Sequence, residues 1–118
     1  MRPLDEGDHP AIRAFLDAEA PWEPVPAWGL LGKLVGNLVA VLGIDLTPTG
    51  IRIASLVVAR DLRRKRVGRL MLRELESLAR KMDRTHLVVD PPPEAREFFL
   101  RSGYHDSDGQ MVMTLNDA

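Results

Sequence analysis

The feature that most constrains this chain is a strand, a basic loop, an amphipathic helix and a second short strand in direct succession. Ile51–Ala59 is rich in Ile, Leu and Val and reads as a strand. Asp61–Arg66 is a polar, basic loop. From Val67 to Met82, residues Val67, Leu70, Met71, Leu75, Leu78, Ala79 and Met82 recur every three or four positions, with Arg69, Arg73, Glu76 and Arg80 on the other side. Leu87–Val89 then makes a short buried strand, within residues 86–90. A strand that returns through a helix lies parallel to its predecessor, so the strands at 51–59 and 86–90 pair in parallel.

The flanking segments predict the rest of the sheet. Met1–Leu4 is a short strand. Asp8 reads as the N-cap of a helix over residues 9–19, with Pro10 in its first turn and Ala11, Ile12, Phe15, Leu16 and Ala20 at helical spacing. Pro21, Pro24 and Pro26 make a stiff loop, flanked by Trp22 and Trp28, which either pack at the rim or line an acceptor pocket. Trp28–Val35, a tight turn at Gly36-Asn37, Leu38–Leu46, a turn at Thr47–Gly50 and Ile51–Ala59 read as an antiparallel meander. Pro91–Pro93 ends the second parallel strand. Ala95, Phe98 and Phe99 line a helix ending at Ser102, Gly103 is its C′ residue, and Tyr104 packs back on its last turn. Asp108-Gly109 is a hairpin turn between Tyr104–Ser107 and Gln110–Leu115. The expected fold class is mixed α/β in the order β-α-β-β-β-α-β-α-β-β. Its sheet is mostly antiparallel with one parallel pair, which the family resemblance given below implies to be splayed, and helices cover both faces.

Composition bounds the function. The chain has 118 residues, 45% hydrophobic and 28% charged, which fits one globular domain over residues 1–118. The absence of cysteine removes disulfides, thiolate metal sites and cysteine nucleophiles. His9, His86 and His105 have no metal-ligand spacing, so no metal is expected. No apolar run approaches the ~18 residues of a membrane span, and Asp5 and Glu6 stand where a secretion signal needs apolar residues. The expected location is the cytoplasm.

Net charge is −1, yet residues 60–84 hold ten Lys/Arg against four Asp/Glu. Within that block, Arg63-Arg64-Lys65-Arg66-Val67-Gly68-Arg69 follows a strand and opens a helix. Helix N-termini present free N–H groups and the positive end of the dipole, and Gly68 allows close approach, so the stretch reads as an anion site. A solvated helix face is the plainer reading. A nucleic-acid surface is a third, but the segment lacks interleaved aromatics.

Three stretches together resemble the GNAT acyltransferase superfamily: Ser55-Leu56-Val57-Val58, then Arg63 to Leu70, then Ala95 to Tyr104, with Met111–Leu115 similar to its last strand and Arg2-Pro3-Leu4 through Asp8 to its first strand and turn. The specific part covers residues 51–115. The resemblance implies an acyl-coenzyme A ligand, most simply acetyl-CoA. Its diphosphate would lie on Arg63, Arg64, Lys65, Arg66, Val67, Gly68 and Arg69, its pantetheine arm along Leu56, Val57 and Val58, and its sulfur near Phe99. Arg63 and Gly68 match the family's Arg/Gln-x-x-Gly-x-Gly/Ala loop, and Arg66 replaces its middle glycine. Phe99 stands where members often carry an acidic tyrosine, Pro92 where an asparagine is common, and no carboxylate occurs around Ile53-Ala54-Ser55. The implied activity is acyl transfer to an unknown amine by direct attack. The alternative is an acyl-CoA-binding module without turnover. Ser55, Asp45 and His86 are the candidate catalytic groups, and pairing of edge strands into a homodimer is open.

Overall fold

The meander, the crossover and the terminal hairpin assemble as the periodicities require. The computed structural model describes residues 2–63 and 66–115. Among these, β1 (Arg2–Pro3), α1 (His9–Glu19), β2 (Gly29–Leu34), β3 (Asn37–Leu46), β4 (Gly50–Val58), α2 (Val67–Lys81), β5 (His86–Val89), α3 (Arg96–Arg101), β6 (His105–Ser107) and β7 (Gln110–Thr114) follow in chain order. The sheet runs β1-β2-β3-β4-β5-β7-β6, and every pairing is antiparallel except β4 with β5.

Alternation along the strands divides the apolar residues between two faces. Leu30, Ala40, Leu42, Ile51 and Ile53 pack with Met71, Leu72, Leu75 and Ala79 of α2. Leu31, Val41 and Val57 pack with Ile12 and Leu16 of α1. Helices thus cover opposite faces of the sheet. Full burial of a side chain such as Leu75 contributes about 2 kcal/mol.

Four local expectations need correction. Asp8 precedes α1 but does not cap it. Its carboxylate accepts from the Asp5 N–H and from Arg2, and these bonds hold its pKa well below the usual carboxylate range. The first hairpin turns at Val35 and Gly36, both at positive φ, and Asn37 already belongs to β3. The two-residue turn suits the strands' twist, and the register fixed by Leu30 and Leu31 overrides the poor fit of a β-branched residue. Leu70 and Met82 lie outside the core and Leu72 inside it. Gly50 is the first residue of β4 rather than a turn residue.

The end of α3 matches its sequence reading. Gly103 has φ +99°, its N–H donates to Leu100 O, and Tyr104 N–H donates to Phe99 O. The Tyr104 ring meets Phe99 edge-on at 5.2 Å and is buried, but its hydroxyl has no hydrogen-bond partner among the described residues. An orphaned hydroxyl costs stability, so Tyr104→Phe is expected to stabilise the fold by about 1 kcal/mol in urea melts. Burial, and secondarily the charge of Glu76, pushes the phenol's pKa up. The unfolded chain loses this proton near pH 10 while the folded protein keeps it, so stability falls as pH rises beyond that point. Tyr104→Phe is expected to remove that alkaline loss; equal stability of both proteins at neutral and alkaline pH would refute it.

Candidate coenzyme and acceptor cleft

Two backbone features open the sheet. β4 and β5 pair from Gly50–His86 to Ile53–Val89 and no further. Beyond Val89 the chain passes through Asp90 into Pro91–Pro93, whose missing N–H groups cannot extend a ladder. On the other edge, Gly43 faces Ser55 while Ile44 faces Ile53, so Ala54 is an extra residue in β4. Such a bulge bends its strand. From Ser55 to Val58, β4 remains bonded to β3, and among the described residues no strand pairs with its other side.

The opening is a cleft of ≈ 1670 Å³, walled by Ser55–Val58, by Phe98 and Phe99 of α3, and by the start of α2. A turn of 3-10 helix at Arg60–Leu62 and extended Arg63 carry the chain from β4 toward α2. Arg66 occupies the N-cap in the left-handed region at φ 65°, ψ 11°. A non-glycine residue there costs about 1 kcal/mol. The Arg66 side chain does not cap the helix, and among the described residues no side chain bonds the N–H groups of its first turn, Val67, Gly68 and Arg69, which lines the cleft. Gly68 packs closely here: a Cβ there would lie 3.1 Å from Phe98 Cζ, a tight contact, and 3.7 Å from Leu56 Cδ2, an ordinary one.

Of the eleven residues assigned to the coenzyme from sequence, nine line this cleft: Leu56, Val57, Val58, Arg63, Arg66, Val67, Gly68, Arg69 and Phe99. Arg64 and Lys65 lie outside the described residues. Phe99 is buried, edge-on to Phe98 at 5.1 Å. Ser55 lines the cleft; a Cβ on Gly43 would meet its Oγ at 2.8 Å. Asp45 and His86 do not line it. Asp45 pairs with Arg52 on the far part of β3. His86 begins β5, beside Gly50, with Nδ1 2.6 Å from Thr85 Oγ1. The parallel pair opens at its carboxyl end, and His86 stands three residues earlier, about 10 Å away along the strand. Trp22 reaches the cleft and is 77% exposed; Trp28 is also exposed but does not line it.

Glu23, Asp90 and Glu94 line the cleft without having been singled out. Asp90 carried a usable signal, because ligands of open α/β sheets collect beyond the carboxyl ends of parallel strands.

The basic block has a substantial structural use. Arg60 donates to Ala18 O and Glu19, Arg63 to Val58 O, Arg69 to Arg101 O at 2.7 Å, and Arg84 to Thr47 O at 2.6 Å. These guanidiniums clamp carbonyl groups, and a nucleic-acid face would need them turned outward. On the outer side of α2, Arg69, Arg73, Glu76 and Arg80 border a smaller cavity of ≈ 260 Å³. Burial pushes the Glu76 carboxyl up, opposed by Arg80 and Arg73. Among the described residues no three His, Asp or Glu side chains gather as a metal ligand set, and no helix is long and apolar enough to cross a membrane.

A bulged central strand, a splayed parallel neighbour and an open helix N-terminus define an acyltransferase fold. Residues 33–114 match the acetyltransferase (GNAT) domain family, and the chain belongs to it as an enzyme of that class. The fold is similar to the ribosomal-protein-S18-alanine N-acetyltransferase of Escherichia coli, with TM-score 0.78, 16% identity and coverage of 98% of this chain and 92% of that one. It is similar to N-acetylglutamate synthase of Neisseria gonorrhoeae, solved with coenzyme A and L-arginine, with TM-score 0.80, 17% identity and coverage of 98% and 33%. An aminoglycoside 6'-N-acetyltransferase of Acinetobacter haemolyticus aligns with TM-score 0.71, 14% identity and 91% of both chains. No curated protein gives a significant sequence match.

Proposed function

We propose that the protein is an N-acyltransferase that takes its acyl group from acetyl-coenzyme A and passes it directly to an amine. The observation that carries this reading is the uncapped start of α2 beside an unpaired strand edge. The residues fit the ligand. The amides of Val67, Gly68 and Arg69 would hold the diphosphate, and Gly68 keeps that surface free of a side chain. Arg63 and Arg66, with Arg64 and Lys65 of the same loop, add positive field. On the edge of β4 turned away from β3, the backbone groups of Leu56 and the N–H of Val58 would bond the pantetheine amides, with the Val57 side chain beside them, within a coenzyme-binding part spanning residues 51–115. When bound, acetyl-coenzyme A supplies an activated thioester.

The acceptor's neutral nitrogen attacks the thioester carbonyl carbon; a C–N bond forms, the C–S bond breaks, and the sulfur leaves to become a thiol. A β4 N–H directed at the developing oxyanion contributes a few kcal/mol. Phe99 offers no proton to the departing sulfur, so that proton comes from water or from the amine itself. Holding both reactants in the cleft supplies most of the remaining acceleration.

Calorimetry with acetyl-coenzyme A tests the reading. Micromolar affinity is expected, and millimolar ligand then raises Tm by about 10 °C. Absence of both effects overturns it. Binding without thiol release across a broad amine panel would instead define a binding module.

A further inference from the structure

The last turn of α3 satisfies three of its carbonyls itself and leaves a fourth to another element. The Phe98 carbonyl accepts from the N–H and the hydroxyl of Ser102, the Phe99 carbonyl from the N–H groups of Ser102 and Tyr104, and the Leu100 carbonyl from Gly103 N–H. The Arg101 carbonyl accepts from Arg69 Nη2 at 2.7 Å. There the guanidinium also meets the negative end of the α3 dipole. Arg101's own side chain is paired with Glu97 at 3.0 Å and does not compete. Among the described residues, the Arg69 bond is the one hydrogen bond that joins α2 to α3.

With six residues, α3 is too short to persist on its own ladder, so its place is set by what it touches. Phe98 and Phe99 meet edge-on at 5.1 Å, and Phe99 meets Tyr104 at 5.2 Å, which fixes the aromatic side of the helix. Toward α2, it is met by the close approach of Gly68 to Phe98 and by the Arg69 bond. Both belong to the turn of α2 that lines the cleft, and Leu56 of β4 approaches the same glycine. One turn of α2 thus ties the phenyl wall to the strand edge that faces it.

We propose that Arg69 is a positioning residue for acyl transfer: its guanidinium fastens the end of α3 to the first turn of α2 and so sets the gap between Phe99 and the unpaired edge of β4. The inference rests on the acyltransferase reading for the reaction, while the fastening is independent of it. The two ends of the residue do different work. Its N–H belongs to the turn that would seat the diphosphate, and its side chain reaches away to α3. Coenzyme bound at that turn therefore tightens α3 through Arg69, and a misplacement of about 1 Å in the reacting atoms costs about 100-fold in rate.

Arg69→Ala and Arg69→Lys are compared with Arg73→Ala, which removes a charge one turn further along α2. Thiol release is followed with the most active amine of the panel, and coenzyme affinity by calorimetry. Arg69→Ala is expected to lower kcat about 30-fold while Kd for acetyl-coenzyme A stays within about threefold and keeps its salt dependence. Arg69→Lys, with a charge and a donor retained, recovers part of kcat, and Arg73→Ala alters neither quantity. Hydrogen exchange reads the fastening directly. Exchange of the Ser102, Gly103 and Tyr104 amides is expected to quicken about tenfold in Arg69→Ala. Coenzyme A slows it in the wild type and in Arg73→Ala but not in Arg69→Ala, a response that a brace unconnected to the coenzyme would not show. Unchanged kcat or unchanged exchange in Arg69→Ala overturns the proposal. So does a salt-sensitive rise in Kd without loss of kcat, which would assign the guanidinium to the coenzyme's phosphates. Quickened exchange in a protein whose wild type binds no coenzyme A would uphold the fastening and overturn the acyltransferase reading instead.

Discussion

Gly68→Asp is expected to lower acetyl-coenzyme A affinity by about 100-fold or more while leaving Tm unchanged or slightly raised. The two effects separate because the substitution acts oppositely on the free helix and on a bound anion. Gly68 is the second residue of α2, where a carboxylate complements the dipole and gains about 0.3–1 kcal/mol. The new Cβ meets only the far edge of the Phe98 ring, at 3.1 Å, which a small ring shift accommodates. A diphosphate on the same amides would face that carboxylate at about 4–5 Å, and each like-charge contact costs about 3–4 kcal/mol at an effective dielectric of 20. Salt screening lowers this, which leaves roughly two orders of magnitude in Kd. Gly68→Ala adds bulk without charge and is expected to lose less than tenfold. Calorimetry paired with melts of the free protein decides it: wild-type affinity in Gly68→Asp would mean that the start of α2 holds no anion.

The parts of this site that were legible in the sequence were those fixed by periodicity and connection. The spacing in residues 67–82 yields α2, the short strand after it compels a parallel pair, and a helix that follows β4 must begin at the end where that pair opens. By the same logic His86, which begins β5, stands at the closed end. Strand patterning alone does not reveal which end opens, so His86 and Asp45 looked as plausible as Ser55. The bulge at Ala54 was not legible, because Ile53-Ala54-Ser55 alternates no differently from its neighbours; the extra residue exists only relative to β3. On α2, Leu70, Met71 and Leu72 are three apolar residues in a row, and periodicity cannot choose which two turn inward. Packing against β2 and β4 does, and leaves Leu70 at the surface. The basic block was visible as charge. Its division between carbonyl clamps and the cleft depends on which carbonyls the fold leaves nearby.

Gly50 is where the largest loss of stability is expected. A Thr-Pro-Thr-Gly run reads as a turn, and a turn glycine tolerates substitution when its φ allows. Here Gly50 begins β4 opposite His86, and a Cβ on it would lie 2.3 Å from the His86 carbonyl oxygen and 3.0 Å from its carbon. These are main-chain atoms, so no rotamer change relieves the clash. The surroundings are tied as well: Gly50 N–H donates to Thr47 Oγ1 at 2.8 Å, Thr47 N–H to Gly50 O, and Thr85 N–H to Thr49 O. Gly50→Ala must therefore push β4 and β5 apart at their closed end, stretching the ladder and loosening Ile51 and Leu87, both fully buried. The expected cost is about 3 kcal/mol, from a total near 5–15 kcal/mol, with Tm lower by about 10 °C. Gly109→Asn serves as the control, since nothing lies within 4 Å of a Cβ there and asparagine accepts positive φ; its expected cost is below about 0.5 kcal/mol. The sheet opens because β4 and β5 are held tightly at one end and released at the other. Gly50→Ala is thus expected to weaken the tight end first, in urea melts and in hydrogen exchange of Leu87 and Val88, before acetyl-coenzyme A affinity responds at the far end. Wild-type stability in Gly50→Ala would show that the pair is not anchored there, and the splay would then need another cause than the proline run and the bulge.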